Sequence, residues 1–247
     1  MDKLRPVKRL IQERTTGSGK AEVATKKRFK QILWMASRGS LGSRNVAIIW
    51  MLFGSGLRVN EVAKLKVSDL VRPTGELKTT FSIPSHYTKT DKPRTAYVLA
   101  KAHREAIESW INERIEQGVF KGATDEYGAL RPDSPMFAVT RKGKSWRTMA
   151  FRDKKYKGNT CTTKVCGSMQ NLISEIFKNS GLHHGSTHSG RRTLATWLDR
   201  KGVELETIQK ILGHETADMT LEYIEADFYK IQAAFVTTLS GINFSIK

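Results

Sequence analysis

The stretch THSGRRTLATWLDRKGVELETIQKILGHETADMTLEYIEAD (residues 187–227) reads as a succession of helices with two deliberate stops. His188 and Arg191 stand three residues apart, on one helical face, and Leu194, Trp197 and Leu198 follow at the spacing of a packed face. Ile208, Ile211 and Leu212 repeat the pattern, and Gly213 ends it, because a left-handed terminus favours a residue without Cβ. His214 therefore sits immediately beyond a helix end. Thr216 then suits the N-cap of a short helix containing Tyr223, nine residues after His214.

Working outward, this stretch differs in charge from the rest of the chain. Val203 to Asp227 holds seven acidic residues against Lys210, a net of −6. The 247 residues together carry 42 Lys+Arg against 24 Asp+Glu, a formal net charge of +18. Such a balance points to a polyanionic partner, nucleic acid first. The cations concentrate in two places. Met1 to Arg44 has twelve basic residues and three acidic, a net of +9, and Arg141 to Lys164 has nine basic residues and one acidic, a net of +8. Lys26, Lys27, Arg28, Arg141, Lys142, Lys144, Arg147, Lys154 and Lys155 are the candidate DNA-contacting residues within them.

The apolar run VAIIWMLF (46–53) is too short to span a bilayer, and the first twenty residues lack the apolar stretch of a secretory signal. A cytoplasmic, nucleoid-associated protein with no membrane partner is expected. Cys161 and Cys166 fit a reducing compartment. His183, His184 and His188 lie near them in sequence, but neither a CxxC pair nor an HExxH pattern exists, so no metal ligand is assigned.

Along the chain, residues 1–20 lack apolar periodicity and read as a flexible basic arm, 21–227 as one domain, and 228–247 as a C-terminal helix or tail. AEVATKKRFKQILWMAS (21–37) and RNVAIIWMLFGSG (44–56) carry helical periodicity, and GLRVNEVAKLKVSDL (56–70) restarts a helix with Val62 and Leu65 inward and Arg58 one turn from Glu61. ELKTTFSIP (76–84) and RTAYVLA (94–100) are strand-like and flank the turn residues of SHYTKTDKP (85–93), which predicts a small antiparallel sheet with Lys89 at its hairpin. An amphipathic helix with Ile107, Trp110, Ile111 and Ile115 follows, then a loop-rich basic segment and a helix around 170–179. The fold class is mainly α with a small antiparallel sheet.

Arginine, lysine, histidine and tyrosine are the residue types that cleave a phosphodiester without a metal. Charge growing on the non-bridging oxygens suits the guanidinium fork, the leaving alkoxide needs a proton that an ammonium can supply, and a phenol is a competent nucleophile once cations or a base favour its anion. Singly, each candidate has an ordinary reading: Arg58 as a surface arginine, Lys89 as a solvated loop residue, His188 as a helix cap, His214 as a packed histidine, Tyr223 as a core aromatic. Lys92 rivals Lys89, and Tyr229, six residues on, rivals Tyr223.

Four strings taken together, GSGLRVNEVAKL (54–65), YTKTDKPRTAYV (87–98), THSGRRTLATWL (187–198) and IQKILGHETADMTLEYIE (208–225), resemble the signatures of the tyrosine recombinase (phage integrase) family. The resemblance covers roughly Glu22 to Asp227. It implies the family's catalytic-domain fold and a site-specific recombinase that cleaves and rejoins DNA through a 3′-phosphotyrosyl link with no cofactor. Tyr223 would be the nucleophile, Arg58 and Arg191 the phosphate clamp, and Lys89 the acid for the leaving 5′-oxygen. His188 would act in proton transfer, His214 would donate to the phosphate, and Glu61 would orient these groups from behind. The implied partners are double-stranded DNA with inverted-repeat sites, further copies forming a tetramer on paired sites, and accessory DNA-bending proteins.

Only 57 residues precede Arg58, so the separate core-binding domain of many family members is expected to be absent, as in the short members that invert promoter segments. Phe228, Ile231, Phe235 and Leu239 fall at helical spacing, fit either to dock on a neighbouring protomer or to pack on their own domain. Two other functions share these residues: DNA relaxation of the type IB topoisomerase kind, and a DNA-binding regulator that does not cleave.

Overall fold

The computed structural model describes residues 20–88, 91–140, 145–155 and 162–224. The basic arm up to residue 19, Lys89, Arg141, Lys142, Lys144, Tyr229 and the C-terminal segment lie outside the described residues. The fold is mainly α with small antiparallel sheets, as expected.

Thr25 caps the first helix by accepting the Arg28 N–H at 3.1 Å, and α1 (Lys26–Ala36) buries Phe29, Ile32 and Ala36. Helix α2 (Gly42–Phe53) buries most of its circumference, including Ile48, Ile49, Met51, Leu52 and Phe53, so other helices must cover it on several sides. Phe29 joins the two through rings 4.9 Å from Phe53 and 5.1 Å from Trp50. Each fully buried aliphatic or aromatic side chain of this kind contributes about 1.5–3 kcal/mol.

The single helix expected over 56–70 is two short ones, α3 (Val59–Lys64) and α4 (Val67–Leu70). The break at Leu65 and Lys66 lets the chain pair with another segment: Met136 donates its N–H to the Leu65 carbonyl at 2.7 Å, and Lys66 forms an antiparallel bridge with Pro135. Strands β1 (Thr80–Ile83) and β2 (Arg94–Tyr97) pair antiparallel with Phe81 opposite Ala96 and Ile83 opposite Arg94. Helix α5 (Lys101–Glu116) lays Ile107, Trp110 and Ile111 against α2, and a short turn, α6 (Glu126–Ala129), follows.

The basic segment after residue 138 is not a loop. Among its described residues, β3 (Val139–Thr140) pairs with β4 (Trp146–Arg147), and β5 (Arg152–Lys155) with β6 (Thr162–Val165), all antiparallel. The anchors are apolar: Met149 and Val165 are buried, and Trp146 packs 6.2 Å from Trp110. Asn60 ties the end of β6 to α3, donating to the Lys164 carbonyl at 3.0 Å and accepting the Cys166 N–H at 3.1 Å. Helix α7 (Gly167–Asn179) then returns to the core through Ile173 and Phe177.

Helix α8 (Ser189–Arg200) crosses α2 so closely that a Cβ at Gly190 would lie 2.6 Å from the Leu52 carbonyl oxygen, which explains the glycine between Ser189 and Arg191. Helix α9 (Leu205–Leu212) ends at Gly213 in the left-handed conformation, φ 63°, as the sequence predicts. Thr216 caps α10 (Ala217–Leu221), but Tyr223 lies in the turn after that helix rather than within it. Ala195, Ile208 and Leu212 form a second small core, against which Leu194, Leu198, Tyr223 and Ile224 pack.

Candidate active site

Arg58 stands at the N-cap of α3 in extended backbone conformation, and Glu61 one turn on is fully buried. A carboxylate without water needs donors, and Glu61 has them. Its Oε2 accepts the Arg58 N–H at 2.7 Å and Arg94 Nη2 at 2.6 Å, while Oε1 accepts Arg58 Nη1 at 3.0 Å. Burial pushes the Glu61 carboxyl up, but Arg94, then Arg58 and Arg191, outweigh it and hold the group below its ordinary range.

Arg191 comes from the first turn of α8 and is fully buried. Its guanidinium donates to the Gly56 carbonyl and, at 2.7 Å, to the Leu212 carbonyl, so one side chain joins the turn before α3 to the end of α9. Burial, then the neighbouring Arg58 and Arg94, lower its pKa to about 9. It remains a cation at neutral pH, crowded by two others. Three guanidinium charges against one carboxylate leave a surplus of two positive charges, which an anion would relieve.

His214 follows the α9 stop. Its backbone is held at both ends by Gln209, whose carbonyl accepts the His214 N–H at 3.1 Å and whose side chain donates to the His214 carbonyl at 3.2 Å. Burial and then the charges of Arg191, Arg58 and Arg94 drive its pKa down to about 3, so the ring is neutral in any physiological buffer. Nδ1 lies 2.9 Å from the Thr220 hydroxyl, and Nε2 is buried with no partner.

Tyr223 closes the group. Its hydroxyl is 2.9 Å from His188 Nδ1, its ring centroid is 4.8 Å from that of His214, and Arg191 Cζ lies 5.8 Å from the ring. Thr196 on α8 donates to the Tyr223 carbonyl at 3.3 Å, which fixes the backbone beneath the phenol. Five of the six expected catalytic residues, Arg58, His188, Arg191, His214 and Tyr223, are thus gathered with Glu61 behind them, although 165 positions separate the first from the last. Lys89 lies outside the described residues, but Thr88 beside it lines the adjoining cavity.

That cavity, about 300 Å³, is lined by Arg58, Thr88, Lys92, Pro93, Arg94, Gly213, His214 and Glu215. At its mouth Lys92 pairs with Glu215 at 2.9 Å, the two side chains 71% and 44% exposed, so the pair is water-screened and opens at little cost. Arg94 is the residue that the sequence reading missed. Strand alternation places it on the face of buried Ala96, and the buried Glu61 meets its inward-facing charge.

Of the candidate DNA-contacting residues, Lys26, Lys27, Arg147 and Lys154 are exposed, and Lys155 falls within β5. Arg28 is half-buried and donates to the Ser180 carbonyl at 2.5 Å, so its guanidinium holds α1 to the end of α7. No group of three or more His, Cys, Asp and Glu side chains suited to a metal occurs among the described residues. No helix among them is long and apolar enough to cross a membrane.

The helical architecture and its small sheets place the domain in a known fold class. It is similar to a crystal structure of XerA recombinase, with TM-score 0.59 and 20% identity over 88% of this chain and 65% of that one. It is also similar to XerH site-specific recombinase bound to palindromic difH substrate, with TM-score 0.58 and 18% identity over 87% of this chain and 52% of that one. Residues 22–230 match the Phage integrase family, and the chain belongs to that family. Relatives include tyrosine recombinase XerC of Myxococcus xanthus, 25% identical over 79% of this chain and 54% of that protein, and XerC of Bacillus pumilus, 28% identical over 74% and 50%. The chain spans about half the length of these curated relatives.

Proposed function

We propose that this protein is a site-specific DNA recombinase that works through a tyrosyl–DNA intermediate. The observation that carries the reading is the Tyr223 hydroxyl, 2.9 Å from a histidine nitrogen, at the edge of a cluster of three arginines around the buried Glu61 with a charge surplus. In the proposed step the Tyr223 oxygen forms a bond to the scissile phosphorus as the bond to the 5′-oxygen breaks. His188 takes the phenol proton, and Lys89 supplies a proton to the departing 5′-oxygen. Arg58 and Arg191, with the neutral His214 as a donor, meet the charge growing on the non-bridging oxygens. The phosphotyrosyl bond conserves the energy of the broken one, so a 5′-hydroxyl from another strand reverses the step without a nucleotide cofactor.

The partners that follow are double-stranded DNA bearing inverted repeats, sister copies assembled as a tetramer on paired sites, and accessory bending proteins. The place of action is the cytoplasm, at the nucleoid. Residues 21–227 act as the catalytic domain, 1–20 as a DNA-gripping arm, and the segment from 228 docks on a neighbouring copy. Lys26, Lys27, Arg141, Lys142, Lys144, Arg147, Lys154 and Lys155 contact the DNA backbone.

The test uses a nicked duplex built from the inverted repeats that flank the gene, incubated with the full chain in buffer containing a chelator. Denaturing gels are expected to show a covalent adduct with the wild type and none with Tyr223→Phe, which still binds the duplex. An adduct that survives Tyr223→Phe, or none with the wild type, overturns the assignment. Exchange of strands between two such duplexes separates recombination from simple relaxation.

A further inference from the structure

A neutral imidazole carries one N–H, and which nitrogen holds it decides whether His214 offers its surroundings a donor or a lone pair. His214 lines the cavity beside Arg58 and Arg94, and its Nδ1 is 2.9 Å from the hydroxyl of the fully buried Thr220. Nε2 is buried with no partner. We infer that Thr220 donates its hydroxyl hydrogen to His214 Nδ1, fixing the ring as the Nε2–H tautomer and leaving a preset donor for a bound phosphate oxygen. The inference rests on the phosphate-handling reading of the site. The opposite arrangement, with Nδ1–H donating to Thr220, would turn a bare nitrogen lone pair toward the oxygens of an anion.

Thr220 is built to do this. Gln209 already fixes the backbone of His214 at its N–H and its carbonyl, so rotation and tautomer of the ring are what remain to be set. The Thr220 carbonyl accepts the Tyr223 N–H at 3.0 Å, so one residue holds the histidine through its side chain and the tyrosine through its backbone. Thr220 does not line the cavity, and acts on the reaction through His214 as a positioning residue.

The experiment compares full-length wild type, Thr220→Val and Thr220→Ser, each labelled with ¹⁵N-histidine, with the His214 signals assigned through His214→Gln. At neutral pH the wild type and Thr220→Ser are expected to show a single Nε2–H tautomer, and Thr220→Val a mixture or the Nδ1–H form. On the nicked duplex, adduct formation at saturating DNA should fall about 10- to 100-fold in Thr220→Val, with DNA affinity within about twofold of wild type, and recover in Thr220→Ser. Wild type found as Nδ1–H, or Thr220→Val with the wild-type spectrum or wild-type cleavage, overturns the inference. If no form makes an adduct, the cleavage reading fails and the nitrogen signals alone decide the role of Thr220.

Discussion

Replacing Glu61 with glutamine removes a charge and little else, which makes it a direct measure of what holds the arginine cluster together. The carboxylate is fully buried and accepts from the Arg58 N–H, Arg58 Nη1 and Arg94 Nη2 at 2.6–3.0 Å. Glutamine retains one acceptor oxygen and turns an NH2 group toward a guanidinium. Breaking a buried ion pair by removing one partner costs about 3–5 kcal/mol, and the surviving oxygen recovers about 1 kcal/mol. A net loss of about 2–4 kcal/mol follows, and at about 2–4 °C per kcal/mol for a chain of this size Tm should fall by about 4–16 °C. The sign with pH is fixed. The folded carboxyl lies below its ordinary range, so its stabilisation is complete above the unfolded pKa of about 4.3 and is lost as pH falls through the lower, folded value. Thermal melts of Glu61→Gln and wild type, followed by circular dichroism from neutral pH down to the acid limit of the fold, should therefore draw together only once the pH falls below the unfolded value and toward the lower, folded one. Melting points within about 1 °C at neutral pH, or a gap that widens with acid, would refute the reasoning.

Arg191→Lys should lower adduct formation at least about 100-fold and reduce Tm, since an ammonium lacks the planar fork by which two separate nitrogens reach the Gly56 and Leu212 carbonyls; gel assay and melts measure both. Gly213→Ala combines φ 63° with a Cβ that would collide with Arg94 Cδ, and a loss of about 1–3 kcal/mol should appear as a lower urea midpoint with unchanged slope. Lys26→Ala and Lys27→Ala, both exposed on α1, should leave Tm unchanged and weaken DNA binding across all sequences. Each should lower the slope of log affinity against log salt by about one, as fluorescence anisotropy over a salt series would show.

The local instructions in this chain are strong, and they alone decide the helices of α1, α2, α5 and α9, the β1–β2 pairing, the Thr25 and Thr216 caps and the glycine stop before His214. Each depends on neighbours within a turn or a strand pair, where periodicity and capping act directly. Arg58, His188, Arg191, His214 and Tyr223 were legible because their spacings follow a family pattern. The rest depends on contacts between distant segments. Only the tertiary structure breaks 56–70 into two helices, because Leu65 and Lys66 pair with residues some 70 positions away, and only it draws the described residues of the basic segment into two antiparallel strand pairs by giving Trp146, Met149 and Val165 something to bury against. It also assigns Arg94 to Glu61 and Thr220 to His214, and commits Arg28 to the Ser180 carbonyl. A side chain's charge is written in the sequence, but its partner is chosen by which groups the packed core removes from water together.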